Sequence, residues 1–364
     1  MAQSQPQDLT GKRLLLIKPS SLGDVCHAAA TAWALKERWP GLHLTWLVNT
    51  TFEPLVKPLS CVDATLPFER SRFKGLFGPV TRRGEFKSFV GSLRAGRFDV
   101  VLDLQGLFRS GLFGWLSRAA LRVGQRGARE CAGVFYNCSV EVPPNPVHAR
   151  ERYAALAAAL GCATPQREDL DVTEVERSDA RELLANAGFT GGPLVAVCPA
   201  ARWESKVYPA AHFASVLDQL CAEAGVAHPV LVGSADMHTT CDGVANACKV
   251  AKPVNLCGRT NLRQLAAVLD IASLLVTCDS GPMHIAAAQK TPVLALLGPT
   301  DPQRTGPYGQ LGNVMSGECE LKPCLKRHCP GMEQKCLRDL TPLSVAARAK
   351  KLLDEAMVGT RPQP

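Results

Sequence analysis

The chain has 364 residues, 46% of them hydrophobic and 20% charged, with a formal net charge of +8. These figures exclude a disordered chain and suit two domains better than one. No apolar run reaches the roughly 18 residues that span a bilayer. The start MAQSQPQDLTGKR lacks a charged stretch followed by an apolar one, so a cytoplasmic protein is expected.

Short apolar runs alternate with helical patterns along the whole chain. In the first half the predicted strands are RLLLIK, LTWLV, ATLPF, DVVLDL and LRVG. Helices are predicted over Val25–Arg38, Glu85–Ala95, Ser110–Ala119 and His148–Leu160. In the second half the strands are PLVAVCP, PVLVG, PVNLCG, LLVTCD and PVLALLG. The helices there are Pro209–Ala224, Asp236–Ala247, Leu262–Ile271 and Pro282–Gln289. Strands apolar on both faces, with helices between them, specify an α/β fold of doubly wound parallel sheets. The alternation weakens over Gln166–Gly192, which sets two Rossmann-like domains at residues 1–175 and 176–364. Facing one another, they would hold a ligand in a cleft at the carboxyl ends of their strands. The last helical pattern, LSVAARAKKLLDEAM, could pack on either domain or across both.

The charge is unevenly placed. Between Arg70 and Arg129 stand thirteen Lys and Arg against Glu85, Asp99 and Asp103, so this segment is basic and the rest of the chain slightly acidic. A local excess of that size suits an anionic partner as well as a solvated face. No nucleic-acid motif is present, so nucleic acid is not expected. Fifteen cysteines, most of them single in apolar runs, read as reduced thiols behaving as small hydrophobes. Cys319, Cys324, Cys329 and Cys336 cluster as C-x4-C-x4-C-x6-C, looser than the usual zinc pairs, and read as a thiol-rich loop with no metal assigned.

Four stretches carry residues suited to chemistry. Lys18, Ser20, Ser21, Gly23 and Asp24 follow the first strand and open a helix, in neither a dinucleotide nor a Walker pattern. Asp24 is readable there as an N-cap or as a general base. In CDSGPMHIAAAQ a strand ends and a helix begins at Gly281 and Pro282. Its N–H groups and dipole suit phosphate, with His284 as an added donor and Asp279 or Ser280 as a possible cap. Lys206 lies in the loop after the first strand of the second domain and could neutralise a diphosphate or simply be solvated. Asp236, at another strand end, could hold ribose hydroxyls or cap the next helix.

In order along the chain, KPSSLGDVCHAAA, DLQGLFRSG, ARECAGVFYN, SKVYP, DSGPMHIAAA and GPTDP together resemble glycosyltransferase family 9, the bacterial ADP-heptose:lipopolysaccharide heptosyltransferases. DLQGLFRS and ARE…FYN are most similar to its heptosyltransferase I branch. The resemblance implies a GT-B fold and an inverting transfer that uses neither metal nor cofactor. Asp24 matches the family's general base. Lys206 and the helix start Ser280, Gly281, Pro282, Met283 and His284 would meet the diphosphate, Asp279 the donor sugar and Asp236 the ribose. The implied partners are an ADP-sugar and an anionic Kdo–lipid A type acceptor, reached peripherally at the cytoplasmic face of the inner membrane. Lys18, Ser20, Ser21, Gly23, Arg70, Arg72, Lys74, Gln105, Arg109 and Arg129 are the acceptor-side candidates. Alternatives are a related transferase with another donor or acceptor, a GT-B-fold nucleotide-sugar epimerase, or a non-catalytic module that binds nucleic acid or membrane through residues 70–129.

Overall fold

RLLLI forms strand β1 (Arg13–Ile17), and its last four residues are fully buried. A strand with no solvent face belongs in the middle of a parallel sheet covered on both sides. The structure, a computed structural model, describes residues 8–69, 80–144, 147–331 and 333–358, the side chains of 80–83 excepted. The chain divides into two units, Met1–Asp171 and Val172–Pro364.

In the first unit β1 is followed by α1 (Leu22–Arg38), β2 (His43–Asn49), α2 (Glu53–Val56), β3 (Ala64–Phe68) and α3 (Val80–Ala95). Then come β4 (Val100–Asp103), α4 (Phe108–Leu116), β5 (Leu121–Gln125), a 3-10 turn at Arg129–Phe135, β6 (Cys138–Val140) and α5 (Ala149–Ala158). All the strands run parallel in the order β3-β2-β1-β4-β5-β6. Leu15, Ile17 and Val101 form one core with Phe89 and Leu93 of α3 and Phe113 of α4. Leu14 and Leu16 point to the opposite face, as the two-residue period of a strand requires. α1 is buried nearly all round from Val25 to Leu35 and packs against α5.

The second unit contains α6 (Glu174–Asn186), β7 (Val195–Cys198), α7 (Ala210–Glu223), β8 (Val230–Leu231), α8 (His238–Ala247), β9 (Val254–Asn255) and α9 (Leu262–Asp270). It continues with β10 (Leu274–Cys278), α10 (Gly281–Ala288), β11 (Val293–Leu296), α11 (Pro302–Thr305), β12 (Val314–Met315), α12 (Lys335–Arg338) and α13 (Pro342–Val358). Its sheet is also parallel, in the order β12-β11-β10-β7-β8-β9. The apolar stripe of α13, including Val345, Leu352 and Leu353, joins the core of this unit beside β10, β11 and α7.

The two sheets share one topology. Each starts in the middle, winds outward to one side, then returns to wind to the other. The reversal falls between β1 and β4 in the first unit and between β7 and β10 in the second. Ile17 pairs with Asp103 at the first and Cys198 with Thr277 at the second. Ligands of open α/β sheets bind outside the carboxyl ends of the strands at such switch points.

The structure adds two strands to those predicted, β6 and β12, both short edge strands. It also places a helix, α6, within the stretch where the alternation weakens. Thr173 caps that helix, and its N–H donates to Glu176 at 2.8 Å in a capping box. The boundary expected between residues 175 and 176 therefore lies in the first turn of α6, after the division at Asp171.

Candidate active site

At the switch point of the first unit, β1 leads through Lys18–Ser20 into α1. Ser21, with extended backbone, is the N-cap, and Asp24 occupies the third helical position. The Asp24 carboxylate accepts from the Ser21 N–H and hydroxyl, both at 3.1 Å. The N-cap reading of Asp24 is thereby corrected: Ser21 is the cap and Asp24 the acidic arm of a capping box.

That carboxylate has two further partners. The Tyr153 hydroxyl of α5 donates to Oδ1 at 3.0 Å, and the Lys18 ammonium lies 3.4 Å from Oδ2. Lys18 is only 4% exposed at its side chain and sits 5.2 Å from the centre of the Tyr153 ring, whereas the Asp24 side chain is 31% exposed. Burial alone would raise the Asp24 pKa. Lys18, the Ser21 donors and Tyr153 outweigh it and hold the carboxyl below its ordinary value. Burial pushes Lys18 down, against the pull of Asp24, and pushes the Tyr153 hydroxyl well up. The site thus contains a partly open carboxylate that is ionised at neutral pH.

Across the switch point, Asp103 ends β4. It is buried and accepts from the Gln105 and Gly106 N–H groups at 2.8 and 3.2 Å and from the Tyr136 hydroxyl at 2.7 Å. Burial raises its pKa despite those donors. Gly124 on β5 makes room for Tyr136, since a Cβ there would stand 2.3 Å from the ring. The Asp103 turn shapes a cavity of about 160 Å³ lined by Ser20, Asn49, Phe68, Gln105, Arg109 and Glu130, among others. The Gln105 side-chain oxygen has no hydrogen-bond partner among the described residues, and the Arg109 guanidinium lies 5.9 Å from the Phe68 ring. Glu130 and Cys131 have positive φ (54° and 58°), an uncommon backbone for such residues, and the Glu130 carboxylate accepts from the Phe108 N–H at 3.3 Å.

At the switch point of the second unit, Lys206 ends a 3-10 turn after β7 and Asp279 follows β10. Their side chains form an ion pair of 2.8 Å, and the Thr300 hydroxyl donates to the same Asp279 oxygen at 2.6 Å. Lys206 also lies 4.6 Å from the Trp203 ring centre. Ser280 is the N-cap of α10 but does not cap it with its side chain. Its hydroxyl lies near Thr277 and Cys198 instead, at 3.3 and 3.4 Å. The α10 N-terminus is therefore open to an anion on its backbone side.

The thiol-rich segment buttresses this site. The Ser205 N–H and hydroxyl donate to the carbonyls of Arg327 and Lys326 at 3.2 and 2.6 Å, and the Leu325 N–H donates to the Pro299 carbonyl at 3.0 Å. His328 meets Glu204 at 2.8 Å, and the Gln334 amide donates to the Glu204 carbonyl at 3.0 Å. The loops bearing Lys206 and Thr300 are thus tied to one strap. All fifteen cysteines are free thiols, and no metal-holding group of three or more His, Cys, Asp or Glu occurs among the described residues.

The family model of glycosyltransferase family 9 (heptosyltransferase) matches residues 86–335. The chain belongs to that family. The transferase is 31% identical to lipopolysaccharide heptosyltransferase 1 of Pseudomonas aeruginosa over 90% of this chain and 91% of the relative. Its fold is similar to that of a family 9 glycosyl transferase from Veillonella parvula, with a TM-score of 0.81 at 22% identity, covering 97% of this chain and all of that one. The Escherichia coli ADP-heptose lipopolysaccharide heptosyltransferase II matches with a TM-score of 0.76 at 25% identity, covering 95% of this chain and 99% of that one. The two doubly wound sheets are those of the GT-B class.

The transferase brings Lys18, Ser20, Ser21, Gly23 and Asp24 together at one switch point, with Gln105 and Arg109 beside them. Lys18 is turned inward onto Asp24. Arg129 is exposed on its turn, while Arg70, Arg72 and Lys74 lie outside the described residues. Lys206 and Asp279 are in contact, and Gly281 opens α10. Pro282 and Met283 are buried, and Pro282 has no N–H to donate; His284 is half-buried. Asp236 is exposed in the 3-10 turn after β8. Sequence reasoning missed Tyr153, Thr300, Asn49, Glu130 and the strap. GPTDP contained Thr300 without singling it out. A concavity of about 880 Å³ lies at the amino ends of β7, β10 and β11 among Leu194, Ser273 and Pro292, away from all these residues.

Proposed function

We propose that the chain transfers a heptose from ADP-heptose to an anionic, Kdo-bearing lipopolysaccharide core acceptor, with inversion at the anomeric carbon and without a metal. The Asp24 carboxylate carries this reading: it is partly open and held ionised at the switch point of the first sheet. An ionised carboxylate there can take the proton of an acceptor hydroxyl as its oxygen attacks the anomeric carbon. The bond from that carbon to the diphosphate breaks, and ADP leaves with the electron pair. Lys206 and the N–H groups at the start of α10 supply positive charge for the leaving diphosphate. Asp279, nearly buried and fixed by Lys206 and Thr300, is the donor-sugar contact in this reading. Ser280, His284 and Asp236 are the remaining donor-side contacts in this reading, with Asp236 on the ribose. Gln105, Arg109 and Arg129 offer hydrogen bonds and charge to the acceptor's carboxylate and phosphates.

The test measures ADP release and product mass with a panel of ADP- and UDP-sugars and Kdo-bearing acceptors, with and without a chelator. Asp24→Asn is expected to keep ADP affinity and lower kcat by roughly 10²- to 10⁴-fold. Near-native turnover in that variant would remove Asp24 as the base. Turnover of the nucleotide sugar without acceptor would favour an epimerase instead. Loss of activity on chelation would end the metal-free reading.

A further inference from the structure

α3, α4 and the Arg129–Phe135 turn form the outer layer over one face of the first sheet. Their inward side chains, Phe86, Phe89, Leu93, Phe113 and Leu116, belong to that core. α4 then presents a second apolar stripe outward. Phe108, Leu112 and Trp115 follow the i, i+4, i+7 spacing of one helix face. Phe108 is 44% and Trp115 54% exposed. The neighbouring turn lies close on α4, where a Cβ at Gly111 would meet Phe135 at 2.8 Å, and it adds Val134 at 74% exposure. Clustered large apolar groups on one outer face mark an interaction surface, whereas scattered ones do not.

The charge around the patch indicates what it meets. Lys87, Arg94, Arg97, Arg118 and Arg129 are exposed on the same layer and its loops, against Glu85 and Glu130. Glu130 is turned onto the Phe108 N–H. No helix of the described residues is long and apolar enough to cross a membrane. A basic surface with a tryptophan and aliphatic side chains at its centre fits a layer that is apolar inside and anionic outside.

We propose that this face docks on the surface of a bilayer containing anionic lipids. The proposal rests on the reading above that the acceptor is a glycolipid. α4 connects the two functions, since Arg109 lines the 160 Å³ cavity while Phe108 and Trp115 face outward from the same helix. A lipid-anchored acceptor would then reach the cavity without leaving the bilayer.

The experiment is co-sedimentation of the full chain with vesicles of phosphatidylcholine alone, or with about one-third phosphatidylglycerol, at low and high salt. The protein is expected to sediment with the anionic vesicles only, and less at high salt. Trp115→Ser/Val134→Ser and, separately, Arg94→Glu/Arg118→Glu are expected to lower the bound fraction roughly tenfold. Thermal melting and ADP affinity, both unchanged, show that the variants are folded. The proposal is overturned if the native protein ignores anionic vesicles, binds neutral ones equally, or if both variants bind normally. It is also overturned if the variants abolish a dimer seen by gel filtration, or oligonucleotide binding, and leave vesicle binding intact. Failure of the transferase reading would appear separately, as absence of ADP binding in the native protein.

Discussion

Under the proposed function Asp24 has two roles for one carboxylate. As the acidic arm of the capping box it holds Ser21 and the first turn of α1; as a base it needs a lone pair for an incoming proton. Tyr153 and Lys18 make the two roles compatible. They keep the group ionised even though its surroundings favour the neutral form. Tyr153 is a positioning residue in this account. Tyr153→Phe removes one donor to the charged carboxylate and so raises its pKa. The acid limb of kcat/KM is expected to move to higher pH while KM for the donor stays unchanged. A pH–rate profile checks this, and a merely packing role would leave the limb where it was. The sign for stability follows the same direction. A carboxyl depressed in the folded state stabilises it above the unfolded value of about 4, and that contribution is lost as pH falls through the folded value.

Among the elements, α6 and α9 are held by an ion pair with a clear acid signature. The Arg263 guanidinium meets the Glu176 carboxylate at 2.5 and 2.7 Å, and Thr173 donates to the same carboxylate. Burial acts to raise Glu176, but Arg263 and Thr173 prevail and bring it down from 4.5 to about 2. The second unit is therefore expected to lose stability as pH falls from about 4.5 towards 2. Glu176→Gln should lower its melting temperature at neutral pH and flatten that acid decline, which melting curves against pH would show. The central strands and the loops that follow them were legible in the sequence because both faces of those strands are apolar and each loop sits where a helix must start. The edge strands were not. Cys138–Val140 and Val314–Met315 are short and half-exposed, so they carry no apolar run. Tyr153 was illegible for another reason. It sits on an alanine-rich helix 129 positions from Asp24, and only the packing of α1 on α5 joins them. The cysteines of the strap raised a metal question, while the contacts that matter there are the backbone carbonyls of Lys326 and Arg327.

At the scale of the whole chain, one topology is used twice with different loops. The first sheet carries a carboxylate at its switch point, and the second a cation beside an open helix start. Addition of ADP is expected to slow hydrogen exchange at 199–206, 279–284 and 299–301 and to leave 18–24 near its unliganded rate. Lys206→Ala should weaken ADP binding roughly 10- to 100-fold, the range for losing a charge-assisted contact, and reduce that protection in parallel. Protection centred on 18–24 would instead give the nucleotide to the first unit. The Tyr153–Asp24 bond has a consequence in time as well as in space. During synthesis the loop after β1 emerges early, but its aspartate gains the Tyr153 hydrogen bond only when α5, the last helix of the first unit, has been made and has docked. A fragment ending before α5 would contain every strand of that sheet and still lack the hydroxyl that holds the carboxylate in place.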